Sequence, residues 1–220
     1  MDHKLDVRYV DSANQTIRLC AKNDVQVQAL YWPGEALVQH ARNALVQNAL
    51  QMEPDQVFMI DADQEWNPQD FWKLLQHDVD VVGATYLKKQ DREEYTFRAP
   101  GQVPERDGLL AITSIGTGFL RVSAKALRKT CEMADPYKNG NGTFRMLFDI
   151  QIFDGLLYGE DTVFCARLAE AGFQTWLDPS FTVGHNGYKR YQGDFAEYIR
   201  RQNSTECDTI PLPKGLQHVG

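Results

Sequence analysis

The sequence predicts an α/β fold in which helices flank a mostly parallel sheet and a smaller portion is antiparallel. Strand-like and helical segments alternate through the first half of the chain, an order typical of parallel sheets with right-handed crossovers. Residues 57–60 are uniformly apolar, as in a strand that is covered on both faces. We therefore expect a single domain over residues 1–202 and a C-terminal tail over residues 203–220.

The first half of the chain supplies this alternation. Residues 35–51 place Leu37, Ala41, Leu45 and Ala49 at helical spacing. Residues 5–10 and 25–31 alternate apolar and polar side chains, which indicates strands. The predicted order is strand 5–10, helix 13–22 after a cap at Asp11-Ser12, strand 25–31, helix 35–51, strand 56–60, helix 68–76 and strand 79–84.

The second half begins with polar residues 88–107, for which we expect loops or a β-excursion. Strands are predicted over residues 109–115 and 118–122, on either side of Gly116-Thr117-Gly118. Ser123 is a favourable cap and predicts a helix over residues 124–133. Turn residues are frequent in 134–148, a helix over 160–171 should end at Gly172, and a strand follows over 173–177.

The composition is that of an ordinary globular protein and argues against several classes. The net charge is −7, so the chain as a whole has no electrostatic signature for nucleic acid, although basic residues cluster near 88–98 and 189–201. The four cysteines are scattered, which gives no reason to expect structural zinc or a disulfide framework. No apolar stretch or signal-peptide pattern predicts a membrane span or export, so we expect a cytoplasmic protein.

Asp61 and Asp63 are the first candidates for chemistry. They directly follow the apolar strand at 56–60, and ligands of open α/β sheets bind beyond the carboxyl ends of strands. Two carboxylates on one turn suit a divalent cation that keeps other positions open for phosphates. The alternative is structural, with Asp61 capping the loop and Asp63 beginning an Asx turn before Asn67-Pro68.

Three further clusters contain side chains that could bind or react. Glu160 and Asp161 begin a predicted helix, where the backbone favours carboxylates for stability alone or for function. His185 lies between Gly184 and Gly187, a setting that allows close approach to a ligand, although a lone histidine is often structural. Arg42, within the helix at 35–51, could serve a phosphate or be a surface arginine without a task.

The order of these motifs resembles the GT-A fold glycosyltransferases. The likeness is strongest to the short, single-domain, family-two-like enzymes often found in bacteriophages and bacteria, and it spans roughly residues 36–195. It rests on Arg42-Asn43, residues 58–63, 80–83 and 116–119, Gly159-Glu160-Asp161, and residues 178–185. The resemblance implies a Rossmann-like GT-A sheet with the antiparallel portion on the acceptor side, and a host-cytoplasm location if the protein is phage-encoded.

The resemblance implies roles for individual residues. Asp61 and Asp63 match the DxD motif that holds Mn²⁺ or Mg²⁺ against the diphosphate of a nucleotide sugar, with Asp63 as the direct ligand. His185 matches a late histidine that completes the metal site. Asp161 matches the general base of inverting members, with Glu160 beside it.

The same resemblance implies the donor site and leaves the acceptor open. Arg42, Gly118 and Lys189 would contact the donor, for which a UDP-sugar is the leading expectation. Asp11 could contact the base or ribose, but residues 11–14 lack the usual proline-containing turn, so the nucleotide is not assigned. The acceptor would be a saccharide or a hydroxymethylated DNA base, and the DNA-modification case requires base flipping and a basic stripe along residues 88–98 and 189–201.

Other functions share parts of this pattern. A haloacid-dehalogenase-like phosphohydrolase also has an apolar strand ending in DxD, but Gln64-Glu65-Trp66 follows the pair here. A nucleotidyltransferase would need a Gly-rich, basic loop after the first strand, which is missing. A binding module without chemistry would have little reason to retain the acidic residues and the histidine together.

Overall fold

The computed structural model describes residues 5–202 and has a mixed α/β architecture. Six helices occur in this range: α1 (Val7–Lys22), α2 (Val38–Gln51), α3 (Pro68–Gln76), α4 (Ala124–Met133), α5 (Glu160–Glu170) and α6 (Phe195–Gln202). The predicted tail at 203–220 lies outside the described residues. No helix of the described range is long and apolar enough to cross a membrane.

The strands form one central sheet and four small sheets. The strands are β1 (Gln56–Ile60), β2 (Gln64–Glu65), β3 (Val81–Gly83), β4 (Phe97–Arg98), β5 (Glu105–Arg106), β6 (Leu109–Ile112), β7 (Ser114–Ile115), β8 (Phe119–Ser123), β9 (Pro136–Asn139), β10 (Gly142–Arg145), β11 (Gln151–Phe153), β12 (Leu156–Tyr158), β13 (Thr175–Leu177), β14 (Gly184–Asn186) and β15 (Arg190–Tyr191). The central sheet has the order β1-β8-β3-β13-β6-β5.

The central sheet is mixed, and the predicted mostly parallel sheet is not confirmed. Within the described residues only β13 and β3 pair in parallel, and the other pairs of this sheet are antiparallel. Both β1 and β3 run antiparallel to β8, so they point in the same direction although β8 separates them. The carboxyl ends of β1, β3 and β13 therefore face the same edge of the sheet.

The predicted strand at residues 5–10 is wrong, because helix α1 begins at Val7 and continues through the predicted helix 13–22. Tyr9, Ser12, Thr16 and Cys20 are buried at helical spacing, whereas Val7 is 77% exposed. The apolar-polar alternation of residues 5–10 is therefore incidental, and the true buried face is partly polar. Residues 25–31 likewise form no strand in the structure.

Polar contacts hold α1 against Trp66, the residue that follows β2. The backbone N–H of Trp66 donates to the Ser12 hydroxyl at 3.1 Å, and the Trp66 indole N–H donates to Thr16 at 2.9 Å. Asp6, in place of the predicted Asp11-Ser12, caps the helix by accepting from the backbone N–H of Arg8. The buried hydroxyls are satisfied in this way, which a buried polar group requires.

Several predicted elements are confirmed with their boundaries. Strand 56–60 is β1, helix 68–76 is α3, and helix 124–133 is α4. The Ser123 hydroxyl caps α4 by accepting from the backbone N–H of Ala126. Helix α5 is followed by Gly172 at φ +90°, a left-handed conformation that glycine adopts without strain. Helix α2 begins at Val38, three residues later than predicted.

The central sheet separates two hydrophobic clusters. In β3, Val81 belongs to the cluster that contains Leu127 and Phe164, from α4 and α5. Its neighbour Val82 belongs to the cluster that contains Tyr9 and Phe71, from α1 and α3. Successive strand residues point to opposite faces, so helices cover both sides of the sheet. This sandwich holds the carboxyl ends of the strands in fixed positions.

Candidate active site

Most of the predicted site residues meet beyond the carboxyl end of β1. The backbone N–H of Asp61 donates to the Gly118 carbonyl at 3.0 Å, and the N–H of Asn186 donates to the Asp63 carbonyl at 2.8 Å. These bonds connect the loop after β1 to the start of β8 and to β14. The acidic turn is therefore held by backbone contacts on two sides, independently of its side chains.

Arg42 connects two of the predicted acidic segments. Its Nη2 donates to Asp61 Oδ1 at 2.8 Å, and its Nη1 donates to Glu160 Oε1 at 2.7 Å. The arginine side chain is 14% exposed and its guanidinium carbon lies 5.8 Å from the centre of the Phe148 ring. Burial opposes the charge of Arg42, but the two carboxylates more than compensate and raise its pKa.

Asp161 lies beside this bridge at the N-terminus of α5. Its Oδ1 accepts from the backbone N–H of Thr162 at 2.7 Å. Burial raises the pKa of Asp161, and the negative charges of Glu160 and Asp61 raise it further against the opposing effects of Thr162 and Arg42. A carboxylate with a raised pKa is a stronger proton acceptor, which suits a general base.

Asp63 and His185 face each other on the other side of the acidic turn. His185 Nε2 lies 3.6 Å from Asp63 Oδ1, and His185 Nδ1 lies 2.7 Å from the Leu87 carbonyl. A carbonyl only accepts, so Nδ1 carries a proton; Nε2 donates toward Asp63 when the ring is protonated, and offers its lone pair to a metal ion when the ring is neutral. Burial would raise the pKa of Asp63, but His185 and Lys89 lower it to about 2.

The Asp63–His185 pair suits a metal ion, although the predicted three-residue set is incomplete. Asp63 Oδ1 is buried and has no hydrogen-bond partner, and it faces an imidazole nitrogen that is oriented from behind by a carbonyl. Carboxylate and imidazole are ligands for Mn²⁺, and two protein ligands leave positions open for phosphates. Asp61 is occupied by Arg42, and among residues 5–202 no three side chains form a metal cluster.

Tyr86 lies between the two halves of the site. Its ring contacts His185 edge to face at 5.0 Å, and its hydroxyl accepts from the backbone N–H of Gly118 at 3.1 Å. A Cβ on Gly118 would lie 2.6 Å from the Tyr86 oxygen and 2.9 Å from Asp61 Oδ2, and a Cβ on Gly116 would also meet Tyr86. The two glycines therefore make room for the buried phenol.

Asp11 and Lys189, which were predicted to contact the donor, do not contact the acidic turn in the structure, and Lys89 contacts it instead. Asp11 is exposed on α1, where it accepts from Gln15 at 2.7 Å, because the expected strand end is a helix. Lys189 pairs with Asp91, and Lys89 contacts Asp63 instead. The Lys88-Lys89 pair was visible in the sequence as part of a basic cluster, but no spacing rule connects it with Asp63.

The comparisons with known proteins give no family. No protein-family model and no curated protein matches the chain. Among solved structures, the chain is similar to "Crystal Structure of A197 from STIV", with a TM-score of 0.46 and 19% sequence identity over 78% of each chain.

Proposed function

We propose that this protein is a metal-dependent glycosyltransferase that moves a sugar from a nucleotide-sugar donor to an acceptor hydroxyl with inversion. One observation carries the proposal. Side chains from distant segments meet at one sheet edge, with Arg42 joining Asp61 to Glu160, and with His185 against Asp63. This combination of a half-buried acidic group, a cation-binding pair and an arginine fits the transfer of a group from an anionic leaving group.

The proposed reaction is a single displacement. The acceptor hydroxyl oxygen attacks the anomeric carbon, and a new carbon–oxygen bond forms as the bond to the diphosphate oxygen breaks. The hydroxyl proton passes to Asp161, and the bonding electron pair leaves with the nucleoside diphosphate. Asp161 suits this role because burial and Glu160 raise its pKa. A base within about 3 Å of the attacking hydroxyl contributes about 10²- to 10⁴-fold in rate.

The negative charge of the leaving group accounts for the side of the site that contains Asp63 and His185. A divalent cation supplies charge stabilisation for the departing diphosphate when it is bound. Asp63 and His185 would hold it, and Asp61 would remain on Arg42 and face the ribose side of the donor. Arg42 donates to both Asp61 and Glu160 and so fixes their positions. Asp161 accepts from the backbone of Thr162 instead, and it is the carboxylate that remains available as the base.

The proposal includes a GT-A assignment of the fold. It is supported by the common direction of β1, β3 and β13, with the acidic pair directly after β1. A phosphohydrolase would use Asp61 as its nucleophile, but the Arg42 contact at 2.8 Å makes that carboxylate a weaker nucleophile. We therefore propose no second function. The proposed donor is a UDP-sugar, the acceptor is a saccharide or a hydroxymethylated DNA base, and the proposed location is the cytoplasm.

A ligand panel tests the donor site directly. Thermal unfolding is measured with nucleoside diphosphates and nucleotide sugars, each with and without Mn²⁺. One nucleotide at 100 times its Kd should stabilise the protein by about 2.7 kcal/mol, which is roughly 5–10 °C in Tm, and only with Mn²⁺ present.

Two variants make the panel specific. Asp63→Asn should lose the metal-dependent shift, whereas Asp91→Asn, an exposed acid on a neighbouring loop, should retain it. If Mn²⁺ binds but no nucleotide raises the Tm of the unaltered protein, the proposed donor site is refuted.

A further inference from the structure

The contact between Lys89 and Asp63 has no role in the chemistry described above. Lys89 Nζ lies 2.5 Å from Asp63 Oδ2, the oxygen that does not face His185. The two side chains are 36% and 40% exposed, so water competes with the pair. Partly exposed ion pairs are weak and exchange partners easily.

The backbone holds Lys89 at this place. The Leu87 carbonyl contacts the ring of His185, and Leu87 forms a β-bridge with Tyr95. The N–H of Lys88 donates to the Glu94 carbonyl at 2.8 Å, which closes the turn that carries Lys89. The lysine is therefore delivered to Asp63 by the same short segment that orients the imidazole.

Gly187 leaves room for the side chain of Lys89. A Cβ at Gly187 would lie 3.2 Å from Lys89 Cδ and 3.4 Å from Lys89 Cε, so the lysine stem passes directly over this glycine. Neighbouring lysines are engaged differently. Lys88 pairs with Glu94, and Lys189 pairs with Asp91, so neither contacts the acidic turn in the structure.

We propose that Lys89 is an exchangeable cation of the donor site, which neutralises Asp63 before ligands bind and moves to the donor diphosphate when a divalent cation takes its place. This inference rests on the proposed function and names a donor-binding residue within it. A metal ion at Asp63 and the Lys89 ammonium repel each other, so metal binding should release the lysine. The released ammonium would then be free to contact the phosphates of a donor bound through the metal.

The exchange predicts changes of opposite sign in one variant. Lys89→Met keeps most of the stem and removes the charge. Its affinity for Mn²⁺ alone should rise about 2- to 5-fold, because Lys89 no longer competes for Asp63 and a partly exposed ion pair contributes little free energy. Its affinity for UDP at saturating Mn²⁺ should fall about 10-fold, because a charge-assisted contact to phosphate is lost.

Calorimetric titration of the full chain with Mn²⁺ alone and then with UDP plus Mn²⁺ measures both changes. Lys88→Met is the matched control and should change neither affinity. Gly187→Ala keeps the lysine but displaces its stem, and it should shift both affinities in the same directions by a smaller factor.

The outcomes separate the two proposals. If the unaltered protein binds both ligands and Lys89→Met behaves like Lys88→Met, then Lys89 is only a surface partner of Asp63 and the inference fails while the proposed function stands. A rise in Mn²⁺ affinity without a loss of UDP affinity also overturns the transfer to phosphate. If the unaltered protein binds neither Mn²⁺ nor UDP, the proposed function fails and this inference with it.

Discussion

The bridge formed by Arg42 can be tested by its effect on stability. Arg42→Met retains an unbranched apolar stem but removes the guanidinium beside Phe148 and leaves Asp61 and Glu160 without their shared partner. Breaking a fully buried pair costs about 3–5 kcal/mol, and an exposed pair contributes about 0–1 kcal/mol. Arg42 is 14% exposed and its partners are 37% and 21% exposed, so we place the loss between these limits. The expected cost is about 2–3 kcal/mol of unfolding free energy.

Urea unfolding at pH 7 measures this loss as a lower midpoint with an unchanged m value. Adding Glu160→Gln to Arg42→Met should recover part of the loss. Arg106→Met, at an exposed arginine, should stay within about 0.5 kcal/mol. A loss that is not recovered by Glu160→Gln would refute the electrostatic explanation and indicate lost packing.

Three further substitutions test other parts of the site. Asp161→Asn should spare donor binding but lower the transfer rate by about 10²- to 10⁴-fold, and the rate of the unaltered enzyme should fall as the pH drops through the raised pKa of Asp161. The same variant should be more stable at pH 7 in urea, since a raised carboxyl pKa destabilises the ionised native state, and this gain should shrink as the pH falls through the raised pKa and vanish below the ordinary aspartate pKa. His185→Ala should weaken Mn²⁺ binding by at least about 10-fold in a calorimetric titration, and an unchanged titration would make His185 purely structural. Gly118→Ala should cost about 1–3 kcal/mol in urea unfolding, because its Cβ overlaps Tyr86 and Asp61, and a fully stable variant would contradict the tight packing described here.

Local signals predicted those elements whose structure depends on neighbouring residues. Helix α4 was predicted with its cap because Ser123 and the residues after it decide its start. Residues 5–10 resemble a strand because their apolar and polar side chains alternate, whereas Tyr9, Ser12 and Thr16 are buried at helical spacing. Two of these three residues are Ser and Thr, and a pattern built on apolar residues does not count them.

The arrangement of strands and charges could not be derived in the same way. The insertion of β8 between β1 and β3 depends on long-range pairing, which leaves no local trace in either strand. Local patterns identify Arg42, Asp61, Glu160 and Asp161 only as separate candidates. The family resemblance implies that Arg42 contacts the donor, whereas in the structure two carboxylates of the protein itself hold the guanidinium. A partner 118 positions away in sequence cannot be recognised from spacing.

The phenol of Tyr86 and the two glycines that surround it have a consequence for how this sequence can evolve. The Tyr86 oxygen lies within van der Waals overlap of a Cβ placed on Gly116 or Gly118, so alanine at either position would force the ring to shift. A lineage that lost the ring first could accept side chains at both glycines afterwards, but the reverse order passes through a destabilised ancestor. Related sequences should therefore inherit the tyrosine and both glycines as one unit, or have replaced the tyrosine before either glycine.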